Sequence, residues 1–205
     1  PNATLGLVEI DAVKASDDER EMGEMNPHIR SIVAYNAESG LVEVARPNGV
    51  LLAQITPRGG RISGTSSIVQ LDAWNWEDAA IKKEDAMHIS WPATPRGRGG
   101  FGGLRGMTLG GVDPNERTQN AIADLNTFFT EAKTYAETKQ TVTNARLAAM
   151  KGLFNGSQKL FIAADSQEDI VAAVNFAKKF GITPVIVGGD DAYLVTDFLK
   201  ANKVK

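Results

Sequence analysis

The sequence predicts an α/β protein built on a parallel sheet, and three stretches carry that prediction. Near the C-terminal end, KLFIAA (Lys159 to Ala164) has the pattern of a buried strand. An amphipathic segment follows it, and TPVIVGG (Thr183 to Gly189) then begins a second strand. The unit restarts after 24 residues, as right-handed βαβ crossovers do. Upstream stands a long helix with a clear start at Asp113, and earlier still GVLLAQI (Gly49 to Ile55) reads as another buried strand.

PNATLGLVEIDA opens directly on an apolar run, as though inside a strand, which implies a chain that continues upstream of Pro1. Gly49 to Ile55 runs into the turn TPRGG, and TPRGGRISGTS is too polar and too rich in Gly to be anything but a loop. SSIVQLD (Ser66 to Asp72) is a possible short strand, and DAMHISWP alternates around His88 as a strand does. Trp74 and Trp76 stand two apart. They share a face if the segment is extended, and serve core or subunit packing more readily than ligand stacking. Gly, Pro and Arg dominate Pro92 to Gly106, which reads as a mobile surface loop.

In DPNE, Asp113 is placed as N-cap, Pro114 at the first helical position and Glu116 two further on. Ile122, Leu125, Phe129, Ala132 and Ala136 then form one apolar stripe. NARLAAMKGLF makes a shorter helix that ends at Asn155-Gly156. Ser166 caps the next, whose buried face is Ile170, Val171, Val174 and Ala177, and Gly181 closes it. DDAYLVTDFLKAN reads as a last helix burying Leu194, Val195, Phe198 and Leu199, and NKVK approaches a further strand.

Composition narrows the function. With 42% hydrophobic and 23% charged residues the chain supports one sizeable core, so residues 1–205 are expected to form a single domain or most of one. A formal net charge of -3 supplies no basic field for nucleic acid, and no apolar run approaches the roughly 20 residues of a membrane helix. Neither is expected as a partner. The compartment stays open between the cytoplasm and export to the periplasm, for a soluble chain without an evident signal peptide. The absence of Cys excludes disulfides, thiolate nucleophiles and Cys-based metal sites. His28 and His88 are the only histidines, and neither has a second His at i+2 or i+4. His28 follows Pro27 and reads as a solvated or capping side chain. His88 reads as a hydrogen-bonded structural imidazole.

Arg58, Gly59, Gly60 and Arg61 follow a buried strand, where amides and guanidinium groups cradle anions, though a tight turn needs the same glycines. Asp165, Asp190 and Asp191 follow strands too. They either line the same rim or cap helices. RGRGGFGGLRG is a single short Arg-Gly copy in an acidic chain and argues little for RNA. No G-x-G-x-x-G follows the early strands.

Four separated blocks, ATLGLVEIDAVKASDDE, NPHIRSIVAYNAES, NGVLLAQITPRGGRISGTSSIVQLD and LFIAADSQEDIVAAVNFAKKFGITPVIVGGDDAYLVTDFLK, resemble the amidohydrolase superfamily in order and spacing. Within it they look most like the imidazolonepropionase-like metal-dependent hydrolases. The resemblance implies a (β/α)8 TIM-barrel type fold, incomplete in this chain at about six βα units, with its site at the C-terminal ends of the strands. It also implies that the remaining segments of a larger chain, or another subunit, complete it.

The family holds zinc or another divalent metal with a His-x-His pair on the first strand and one His each on the fifth and sixth. Those positions fall on Asn2, Thr4, Ala163 and Gly188. Without imidazole ligands no metal cofactor is expected, and no bound water would be brought from a pKa of 15.7 to about 7. The expectation is a site-degenerate homologue with no catalytic residue. Its candidate ligand-binding residues, for a small molecule at the barrel rim, are Asn2, Thr4, Arg58, Arg61, Asp165 and Asp190. The alternatives are an active C–N hydrolase using other ligands or residues outside the chain, and a doubly wound nucleotide-binding module.

Overall fold

The computed structural model describes residues 2–10, 12–93 and 113–204. Its frame is one six-stranded sheet with the strands side by side in chain order: β1 (Asn2–Ala3), β2 (Leu52–Ile55), β3 (Ile62–Gln70), β4 (Ala80–Ser90), β5 (Lys159–Ala164) and β6 (Pro184–Gly188). The pairs β1–β2, β4–β5 and β5–β6 are parallel, whereas β3 is antiparallel to both β2 and β4. Five strands therefore point one way and β3 points the other.

This mixed sheet overturns the expected run of about six βα units of a (β/α)8 TIM barrel. The reason is connection length. Parallel neighbours need a crossover of roughly a dozen residues or more. Here β2 reaches β3 through residues 56–61, and β3 reaches β4 through residues 71–79. Sequential strand order also removes the doubly wound nucleotide-binding reading, because among the described strands the order never reverses and no switch point arises.

TPRGGRISGTS, expected as a loop, contributes the first half of β3, and its glycines serve the turn and the strand rather than breaking them. Gly59 and Gly60 turn the chain with φ of +83° and +62°. Gly64 lies inside the strand at φ +129°, where a Cβ would stand 2.6 Å from the carbonyl oxygen of Ile29. Ile62 and Gly64 pair with the consecutive residues Ile89 and His88, so Ser63 is the extra residue of a β-bulge.

Helices cover one side of the sheet. Short ones, α1 (Ser31–Ala34) and α2 (Gly40–Ala45), link β1 to β2, and α3 (Trp76–Ala79) precedes β4. Between β4 and β5 come α4 (Pro114–Glu137), α5 (Ala145–Ala149) and α6 (Lys151–Phe154). Then α7 (Gln167–Lys179) joins β5 to β6, and α8 (Thr196–Ala201) follows.

The caps stand where the sequence places them. Asp113 accepts from the Asn115 N–H, and Ser166 accepts from the Asp169 N–H at 3.1 Å. Each such cap contributes about 1 kcal/mol. Leu125, Phe129 and Ala132 of α4 are buried as the stripe requires, and Phe129 meets Phe176 and Phe180 at 4.9 and 5.3 Å between ring centres. The last expected helix is split instead. A 3-10 turn at Ala192–Val195 precedes α8, Leu194 is exposed, and of Leu194, Val195, Phe198 and Leu199 only Val195 is buried. Trp74 is exposed, while Trp76 packs on the β1–β3 core with Lys83 over its ring. The Pro92 to Gly106 segment lies, from residue 94 onward, outside the described residues.

Alternation gives the sheet two unlike faces. Ala53, Ile55, Val69, Met87, Ile89, Leu160 and Ile162 lie under helices in two apolar clusters. Asn2, Gln54, Ser66, His88, Phe161 and Ala163 share the opposite face through their registers, and none belongs to either cluster.

Candidate functional site

The five parallel strands end at one rim, and a cavity of about 310 Å³ opens there. Asn2 borders it from β1, His88 and Ser90 from β4, Ala163 from β5 and Val187 from β6; Thr56, Pro57, Arg58 and Gly59 come from the β2–β3 loop. Carboxyl ends of parallel strands are where α/β proteins place their ligands, because the loops that follow are free to vary.

Each polar group is aimed by local structure. The bulge in β3 adds Ser63 to the cavity wall. Arg58 lies beside Arg20 through an isolated parallel bridge, and its N–H donates to the Glu19 carbonyl at 2.7 Å. Glu19 sits between the two guanidinium groups, 2.7 Å from Arg20 Nε and 3.8 Å from Arg58 Nε. His88 is only 8% exposed, with Nε2 2.8 Å from the Ser66 hydroxyl and its ring edge-on to Phe161 at 5.0 Å. Burial pushes the His88 imidazole down to about 4; Asp85 opposes this, and Arg58 reinforces it. At neutral pH the ring is therefore uncharged, and Arg20 and Arg58 supply the positive charge at the rim.

A second cavity, of about 330 Å³, continues down the same face from Asn2 past Gln54 to Asp85, Lys159 and Phe161. Asp85 is buried there with Lys82 Nζ at 2.6 Å and Lys159 Nζ at 3.4 Å. Burial alone would raise its carboxyl, but the two lysines outweigh it and leave it below the usual range.

The residues singled out from the sequence separate in space. Asn2 and Arg58 line the rim cavity together. Thr4 belongs to a neighbouring cavity of about 600 Å³ with Asp17, Glu19, Arg20 and Arg58, which therefore borders both. Arg61 turns away. It pairs with Asp124 of α4 at 2.9 Å and with Glu24 at 3.3 Å, tying the loop to the helix. Asp165 lines a cavity of about 230 Å³ that shares Ala163 with the rim cavity, and its Oδ1 accepts from the Gly189 N–H at 3.2 Å. Asp190 is exposed and lines neither cavity, and Asp191 rather than Asp190 precedes the 3-10 turn. His28 is exposed, as a solvated side chain should be.

The sequence reading missed Arg20, Ser63 and the cavity position of His88. Alternation in DAMHISWP put His88 on a strand, but only the register with β3 and β5 shows which face it occupies.

The residues at the resemblance-derived ligand positions do not fit a divalent metal. Asn2 offers a single amide oxygen, Ala163 offers no donor, and Thr4 faces the other cavity. At Gly188, with φ +84°, a Cβ would run into Asp165 Oδ1, so a longer side chain there requires that carboxylate to move. Among the described residues no three His, Cys, Asp or Glu side chains converge as a metal-holding group. Nor, among the described residues, is any helix long and apolar enough to cross a membrane. What the rim does offer is two guanidinium groups, a neutral imidazole and small hydroxyls, a set suited to binding a polar anion.

No protein-family model matches the chain, and no curated protein matches its sequence. Its structure is similar to the crystal structure of an amidohydrolase from Thermotoga maritima MSB8, with a TM-score of 0.79 at 17% identity. The match covers 99% of this chain and 54% of that one. The chain thus has an amidohydrolase-like fold and spans about half the length of that protein.

Proposed function

We propose that this chain is a site-degenerate relative of the amidohydrolases, nearest to the imidazolonepropionase-like branch, that binds a small molecule at the rim of its sheet and does not hydrolyse it. One observation carries the reading. The cavity lies over the carboxyl ends of the parallel strands, yet of the positions the resemblance assigns to metal ligands Asn2 and Ala163 line it, Gly188 follows the lining residue Val187, and His88 supplies its one imidazole among the described residues. A hydrolase of this type needs a cation to generate hydroxide at neutral pH, and such a cation needs more nitrogen or carboxylate ligands than these. Arg58 and Asn2 are the ligand contacts of the expected set; Thr4 and Asp165 border adjoining cavities, and Arg61 serves the fold. We take residues 1–205 as one domain or the greater part of one, the sheet face that carries His88 and Phe161 being covered by further segments of a larger chain or by another subunit.

Elemental analysis of the purified protein, alongside assays on cyclic and linear amides, tests this. The expected result is substoichiometric zinc, iron and manganese with no turnover. One equivalent of a transition metal, or amide hydrolysis abolished by a chelator, would overturn it.

A further inference from the structure

The rim cavity is specific enough to name the chemistry of its ligand. Arg20 and Arg58 are the charged side chains that line it, and Glu19 between them offsets one of the two. One positive charge is left facing the cavity. That balance suits a monoanion better than a phosphate dianion, and a guanidinium fork matches the two oxygens of a carboxylate.

A second observation is independent of charge. Ser63 is only 5% exposed, yet its hydroxyl makes no hydrogen bond among the described residues. The side chains of Asn2 and Ser90 on the same wall are likewise unbonded among those residues. The β3 bulge sets Ser63 in the cavity wall, where a hydroxyl bonded to no other described residue is free to donate to or accept from a ligand. His88 is held by Ser66 with its edge against Phe161, so it forms a fixed wall.

We infer that the cavity takes a small organic monocarboxylate, its carboxylate held by Arg58 beside Arg20 and its polar remainder by Ser63, Asn2 and Ser90. A volume of about 310 Å³ sits at the small end of ligand sites and limits the molecule to a compact one. The inference rests on the binding reading above and adds the ligand class to it.

The test is a thermal-shift panel of small monocarboxylic acids, each paired with its primary amide, with inorganic phosphate as a separate arm and titration calorimetry on the hits. At least one acid should bind while its amide does not. Arg58→Gln should weaken that acid at least about tenfold, since a charge-assisted bond is lost. Ser63→Ala should weaken it by a smaller factor, with an unchanged circular dichroism spectrum. Equal binding of acids and amides, binding of phosphate alone, no binding by any acid, or an Arg58→Gln protein that binds as before would each overturn the inference. Failure of the panel on a metal-free, inert protein removes only the carboxylate site. Stoichiometric metal or amide turnover removes the binding-homologue reading whatever the panel gives.

Discussion

The two ends of the sheet are held by different means. Around β4 to β6 the strands are parallel, the connections are long helices, and one cluster of aromatic side chains from α4, α6 and α7 closes the core. Around β1 to β3 the neighbours are partly antiparallel, the helices are one or two turns long, and a smaller set of aliphatic residues with Tyr35 does the packing. Regular repetition builds the first region. The second is built from turns, bulges and glycines in conformations that other residues rarely adopt. The rim cavity forms where the two meet, so it takes His88 and Ala163 from the regular region and Arg58 and Ser63 from the irregular one.

Phe129→Ala should be the most damaging single change, at about 3–5 kcal/mol in chemical denaturation, because three aromatic partners lose contact at once. Ile55→Val in the other core should cost about 1 kcal/mol. Equal losses would show that the two regions are not differently packed.

Acid should strike at the junction. The unfolded His88 takes up a proton near pH 6.5 and the folded one only near 4, so the unfolded state binds more protons between those values. Stability should therefore fall as pH drops through that window, by a total on the order of 3 kcal/mol, and be insensitive to His88 above it. Asp85 works at lower pH in the same direction. Its folded carboxyl is depressed, so its contribution is present above the ordinary carboxylate range and is lost on further acidification. Urea titrations from pH 7 to 4 on the wild type and His88→Gln check the first part. An equal slope in both proteins would exclude His88 as the cause.

Gly188→Ala probes the regular region at a left-handed residue that ends β6. A left-handed backbone angle and the Asp165 carboxylate should together cost about 2 kcal/mol, and Asp165→Ala in the same chain should recover part of it. Smallest of all, Arg61→Gln should cost no more than about 1 kcal/mol, since its partners Glu24 and Asp124 are largely exposed. A large loss of ligand binding in that variant, with stability intact, would return Arg61 to the site.

The legible parts of the chain were those where local rules decide. Asp113 and Ser166 cap their helices because a short acceptor side chain next to free N–H groups is a local affair, and the Leu125, Phe129, Ala132 stripe is visible from spacing alone. Only the first half of β3 was hidden, because Gly64 looks like a breaker, whereas here it admits the backbone of Ile29 at close range. Asp190 and Asp191 are adjacent and chemically alike, so nothing local shows that Asp191 is the one that accepts from the Gln167 N–H.

Local chemistry along the chain specifies an α/β protein with a parallel C-terminal half, capped helices and only two imidazoles, fewer than the metal site of the family its wording resembles. Folding in three dimensions sets β3 against its neighbours, puts Arg58 in a cavity wall while Arg61 ties down α4, and brings Ser63 and His88 to the same cavity. The physical reason is one of range. Capping and periodicity act within a turn or two of the chain, whereas strand direction and side-chain convergence are fixed by registers such as Gly64 with His88 and His88 with Phe161, between residues far apart in sequence.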